Sequence, residues 1–186
     1  MNLLSKRNKR GAFLLEFGLV TGFVLVPLLL GVSSAGMTMV RTTHVYQLNR
    51  DMAHMFANGV DFTVAQNQAL AVQAASGLDI TVSGGNGVII LSQIECTGAG
   101  QAVCIRRQTI GNTALRSSSF ANPTQIDSDG NVSYTTDPNA TANSFLNVMN
   151  MSVGQIAYVS EMYYSSSDYN ITGFLTGNGT YTYAVF

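Results

Sequence analysis

The chain has 186 residues, a formal net charge of −1 and only 10% charged residues. That is room for one domain of ordinary size plus an anchor. Four of its nine basic residues, Lys6, Arg7, Lys9 and Arg10, stand together near the start, whereas all ten carboxylates lie beyond Arg10. Past the cluster the only cations are Arg41, Arg50, Arg106, Arg107 and Arg116, so no Lys/Arg-dense face is available and nucleic acid is not an expected partner.

In chain order, residues 1–11 form a short basic leader and residues 12–40 an apolar segment. From Gly11 to Val40 the only ionisable side chain is Glu16. A membrane-spanning helix needs about 20 mostly apolar residues, which this run supplies with margin. The preceding basic cluster is expected to stay in the cytoplasm, placing the rest of the chain outside the cytoplasmic membrane. Three fates compete for the segment. A cleaved secretory signal, cut near Ser33-Ser34-Ala35, requires a shorter apolar region than this one. An uncleaved anchor carrying a cell-surface binding module fits length and charge. Neither accounts for Glu16, whose insertion into hydrocarbon costs about 2.5–3.5 kcal/mol.

A cut after Gly11 changes that balance. Ala12 then carries a free ammonium group, and Glu16 lies one helical turn further along the same face. In a staggered array the carboxylate of one subunit meets the amine of the next, and the low local dielectric makes that pairing strong. The sequence Gly11/Ala12-Phe13-Leu14-Leu15-Glu16-Phe17, behind a basic leader, resembles the processing site of type IV prepilins. The short leader and the Glu16-Phe17 pair are most similar to the TadE-like pseudopilins of tight-adherence (Tad/Flp) pili. The close match covers about the first 40 residues; beyond them only the layout is similar.

The resemblance implies that a prepilin peptidase cuts between Gly11 and Ala12 and that Glu16 serves processing and assembly. It further implies that the partners are other pilin subunits; no cofactor is expected. The implied location is the bacterial cytoplasmic membrane, with a single N-terminal span, or a surface pilus. A substantial external domain favours a minor pilin over a main shaft subunit. A pseudopilin of type II secretion is the nearest alternative.

Residues 41–76 read as an amphipathic helical continuation. Val45, Leu48, Met52, Met55, Phe56 and Gly59 or Val60 recur at three- and four-residue steps, with Arg41, Gln47, Arg50, Asp51 and Asn58 largely between them. Pro27 predicts a kink in the apolar half. A shorter helix is expected over Ala65–Ala75, ended by Ser76-Gly77.

Residues 77–186 read as a β-rich extracytoplasmic domain. Strands are expected at Leu78–Val82, from Val88 towards Glu95, at Val103–Gln108, at Ala157–Tyr164 and at Tyr181–Phe186. Ser83–Gly87 reads as a turn. Residues 109–150 read as loop, with a short helix near Asn143–Met149. The fold class is therefore α+β and pilin-like: a long N-terminal helix, then an antiparallel sheet.

Cys96 and Cys104 bracket a turn at Thr97–Gln101. In an oxidising compartment they are expected to form a cross-strand disulfide contributing about 2–3 kcal/mol. A metal or redox pair finds no further ligands and no C-x-x-C. His44 and His54 read as surface or packing residues, and no Ser-His-Asp set or phosphate loop can be assembled, so no catalytic residue is assigned. Asp127-Ser128-Asp129-Gly130-Asn131 has the alternate carboxylates of a calcium loop but not the rest of one, and reads as an Asp-Gly turn.

Overall fold

The computed structural model describes residues 3–165, 170–171, 175–176 and 179–186; Met1 and Asn2 of the basic leader lie outside them. The chain divides into two compact units, Met1–Val40 and Arg41–Phe186. Helix α1 runs over Leu3–Ala57 and contains Pro27, whose missing N–H leaves the Phe23 carbonyl without its intrahelical donor. The part of α1 beyond Val40 belongs to the second unit.

In that unit the three- and four-residue stripe behaves as its spacing predicts. Val45, Leu48, Met52 and Phe56 are buried, Met55 is half-buried, and Gln47, Arg50, Asp51 and Asn58 face solvent. Helix α2 follows at Ala65–Ala74 and stops before Gly77, whose φ of +87° suits a residue without a Cβ.

The sheet is built from β1 (Gly87–Gly98), β2 (Gln101–Gly111), β3 (Ile156–Tyr164) and β6 (Thr180–Val185), all antiparallel, in the order β2-β1-β3-β6. A separate two-stranded pair, β4 (Asn170–Ile171) and β5 (Leu175–Thr176), lies between β3 and β6 in the chain. This is the expected α+β layout.

Both faces of the sheet are covered. On one face Ile89, Leu91, Ile110 and Met162 pack with Val45, Leu48, Met52 and Phe56 of α1 and Ala71 of α2. On the other, Ile94, Cys96, Ala102, Cys104, Ala157 and Val159 pack under the β2–β3 connection, which contributes Ala121, Val132, Ala140, Ala142 and Phe145. Two-sided cover explains why β1 is buried without a break from Val88 to Ser92 instead of alternating. The connection carries two short 3₁₀ turns, Pro138–Ala140 and Asn143–Asn147, the second close to where a helix is expected.

Two expectations fail. Leu78–Val82 forms no strand, only an isolated bridge between Ile80 and Gly85. Asp79 sits at φ 49°, which breaks the extended alternation and turns the chain so that both Leu78 and Ile80 enter the helix-side core. The turn closes so tightly that a Cβ on Gly85 would lie 2.1 Å from the Asp79 carbonyl oxygen.

The second failure is the disulfide: Cys96 and Cys104 are free, buried thiols. The hairpin register sets Cys96 opposite Ala102 and Cys104 opposite Ile94, so the two cysteines are diagonal neighbours. Diagonal positions lie about 7–8 Å apart, at or beyond the reach of a disulfide. Each thiol bonds locally instead, Cys96 Sγ to the Gly98 carbonyl and Cys104 Sγ to the Arg106 carbonyl, both at 3.3 Å. Burial pushes the Cys104 thiol above its usual value despite the Arg107 guanidinium beside it, which disfavours the reactive thiolate.

Phe145 is fully buried and packs edge-on against Phe120 at 5.2 Å. Phe145→Ala is expected to lower the unfolding free energy by about 3–5 kcal/mol in chemical denaturation, because it empties the centre of the second core. Val148→Ala, at an exposed position three residues on, is expected to change it by less than about 0.5 kcal/mol.

Candidate functional site

The expected processing and assembly residues lie in the first unit. Gly11, Ala12, Glu16 and Phe17 all fall on α1 and are all exposed. So are the large apolar side chains that follow: Phe13, Leu14, Leu15, Leu19, Val20, Phe23 and the rest through Val40 have half or more of their surface open. Nothing in this unit covers them. The helix is long and apolar enough to cross a membrane, with a mean hydropathy of 2.3 in its most apolar stretch. Ala12 and Glu16 are four residues apart, one turn of the same helix face.

Two shallow grooves run along this surface where glycines interrupt the bulky side chains. Gly11, Leu14, Leu15, Gly18 and Leu19 line one; Gly18, Leu19, Gly22, Phe23, Val26 and Pro27 line the next. A Cβ placed on Gly18 or Gly22 would meet nothing within 4 Å, so no contact within the chain requires glycine there. Each nevertheless costs the helix about 1 kcal/mol relative to alanine.

In the second unit the remaining candidates resolve into structural roles. His44 Nε2 lies 3.3 Å from the Ala74 carbonyl, tying α1 to α2. The His54 ring packs against Phe186, tilted by 46° with the centroids 4.0 Å apart. The Asp127 carboxylate is occupied by its own loop, accepting from the Asp129 and Asn131 backbone N–H groups and from Asn131 Nδ2. Among the described residues no three His, Cys, Asp or Glu side chains come together as a metal site.

Several buried polar groups have no signature in the sequence. Glu161, central on β3, accepts from the Ser118 hydroxyl, from the Ser119 N–H at 2.8 Å and from the Tyr181 hydroxyl at 2.6 Å. Arg107 Nη2 donates to the Ala121 carbonyl at 2.7 Å. Together they fasten residues 118–121 to the sheet. Asn49 of α1 meets Ser160 of β3 at 2.6 Å inside the helix-side core. Arg106 pairs with Asp61 at 3.0 Å, while Gln108 accepts from the Phe62 N–H and donates to Asp61. These partners are tens of residues apart, so only the folded sheet reveals them.

Comparison with protein-family models, curated proteins and solved structures finds no match to this chain.

Asp137 supplies a testable consequence of the polar network. Burial works to raise its pKa, but the N–H groups of Gln125, Thr124 and Asn139 outweigh it, and the carboxyl is held below its usual value. A depressed folded-state pKa stabilises the protein above the unfolded value of about 3.9 and ceases to do so as pH falls through the depressed value. Thermal melts should therefore show stability declining as the pH is lowered below about 4. Asp137→Asn should melt lower at neutral pH and approach the wild type in acid.

Proposed function

We propose that this chain is a minor pilin or pseudopilin of a Tad-type pilus, acting through helix packing and not through catalysis. In this reading a prepilin peptidase cuts after Gly11, the helix from Ala12 to Val40 resides in the cytoplasmic membrane or the filament core, and the β-rich unit lies outside. The observation that supports it is the helix surface. A run of large apolar side chains has more than half of its surface open, and the single carboxylate within it stands one turn from the residue that the cut would free.

The energetics favour an assembled state. Each Leu, Val or Phe removed from water contributes about 1.5–3 kcal/mol, which a bilayer or a helix bundle supplies equally well. A bilayer gives Glu16 no partner, whereas a neighbouring subunit gives it an ammonium group. That difference, of the order of the 2.5–3.5 kcal/mol insertion cost, is what directs the helix from lipid into a bundle. Gly18 and Gly22, spaced four apart, allow two backbones to approach closely where no other contact of theirs is served.

Glu16→Ala should insert into the membrane at a normal level but enter filaments about 100-fold less well, the equivalent of losing roughly 2.7 kcal/mol. Co-purification of the variant with sheared filaments measures this. Undiminished incorporation would contradict the pairing, and loss of the protein from the membrane fraction would show that Glu16 acts before assembly.

A further inference from the structure

The outer edge of β2 is covered by its own chain at two places and open between them. Arg107 N–H donates to the Gly130 carbonyl at 2.7 Å, and Gly111 N–H donates to the Val82 carbonyl at 3.0 Å. Thr109 stands midway. Its phase follows from the bond of Asn112 N–H to the Gly87 carbonyl at 2.9 Å. Bonded pairs alternate with unbonded ones in an antiparallel ladder, so Ile89/Ile110 and Leu91/Gln108 are bonded as well. Thr109, opposite Ile90, therefore turns both its N–H and its C=O away from β1. Neither group meets a partner among the described residues.

A pocket of about 280 Å³ borders this gap, lined by Thr109 of β2, Gln68 of α2, and Ile126, Asp127 and Ser128 of the β2–β3 connection. Drug-sized ligands occupy about 300–1,000 Å³, so this pocket suits something near the size of one amino-acid residue with its peptide groups. The charges beside it are engaged. Asp127 accepts from its own loop, and the Arg107 guanidinium donates to the Ala121 carbonyl. Gln68 is half-buried, and its side-chain amide makes no hydrogen bond among the described residues.

We propose that this pocket takes an uncharged, extended peptide segment of another polypeptide, pairing through one residue with Thr109. An outward N–H and C=O on one strand residue are complementary to the C=O and N–H of one extended residue opposite. The flanking Val82 and Gly130 contacts limit the pairing to that one residue. Four residues separate Arg107 from Gly111, about 13 Å, and one extended residue with both its peptide groups needs about 7 Å. The other ends of those peptide groups point away from β2, where Gln68 offers both a donor and an acceptor.

The same register fixes the side chain that fits. Ile110 enters the helix-side core, so Thr109 points to the opposite face, the face of the connection. A directly paired residue places its side chain on that face too. There Ile126 has 42% of its surface open, which favours an apolar side chain, and Asp127 disfavours an acidic one. The site belongs to the second unit and does not rest on the pilus reading.

The test follows the Thr109 amide by NMR in the full chain, purified in detergent micelles and titrated with acetyl-Ala-Leu-Ala amide. A saturable shift is expected at millimolar peptide. Acetyl-Ala-Pro-Ala amide, which lacks the central N–H, should cause none, and a central Glu should bind more weakly than Leu. T109V keeps the backbone N–H and should bind as the wild type does. T109P removes an N–H that the sheet does not use, so it should keep the native circular dichroism and lose the peptide. I126S should weaken binding about fivefold. An unmoved Thr109 amide in the wild type would overturn the proposal, whatever the variants do. So would equal shifts from the proline peptide, or a folded T109P that binds normally. A Thr109 shift produced by raising the protein concentration without peptide would assign the edge to a second copy and overturn the choice of occupant.

Discussion

The molecule is organised around an exposed apolar stretch of helix. Between Gly11 and Val40 the large apolar side chains, of the kind that ordinarily form a core, have more than half of their surface open. Such a surface is stable only in hydrocarbon or against other helices. In the proposed reading Glu16 distinguishes between those two surroundings, since lipid penalises its charge and an amine freed on a neighbouring subunit would compensate it. The glycine-lined grooves act in the same direction, because lipid fills a groove without needing it and a second helix exploits it.

The second unit has the opposite character. It buries both faces of a four-stranded sheet, one under the stripe of α1 and one under a long irregular connection. An irregular layer has few backbone bonds of its own, so it depends on fixed polar anchors beneath it. Glu161 and Arg107 provide them at residues 118–121, and Asp137 gathers the backbone around Thr124, Gln125 and Asn139. Buried polar groups of this kind are costly unless they are hydrogen-bonded, and Glu161 accepts three hydrogen bonds.

Features with a regular period could be read from the amino-acid order. The apolar run is long and unbroken, the stripe from Val45 to Phe56 repeats at three- and four-residue steps, the four sheet strands are short apolar runs between turn residues, and all form. What was not legible depends on single backbone events. Asp79 entering the left-handed region converts an apparent strand into a turn. The register of the β1–β2 hairpin, with irregularities between Gln93 and Ile94 and between Cys96 and Gly98, leaves the cysteines diagonal. The buried Asn49–Ser160 and Glu161–Ser118 contacts span 111 and 43 residues, and neither partner looks unusual in its local sequence. The Ala12–Glu16 spacing was legible because it is local and helical. Its meaning depends on a second molecule that no single chain displays.

The proposed pairing requires a free amine at Ala12. Determining the N-terminal residue of the protein recovered from intact cells addresses this directly. Ala12 as the first residue is the predicted result. A chain that retains Met1 and the basic cluster would contradict it, since Glu16 would then lack its counter-charge and the apolar helix would be an anchor. A chain beginning at Gly36 would contradict it equally, by removing the helix from the mature protein altogether.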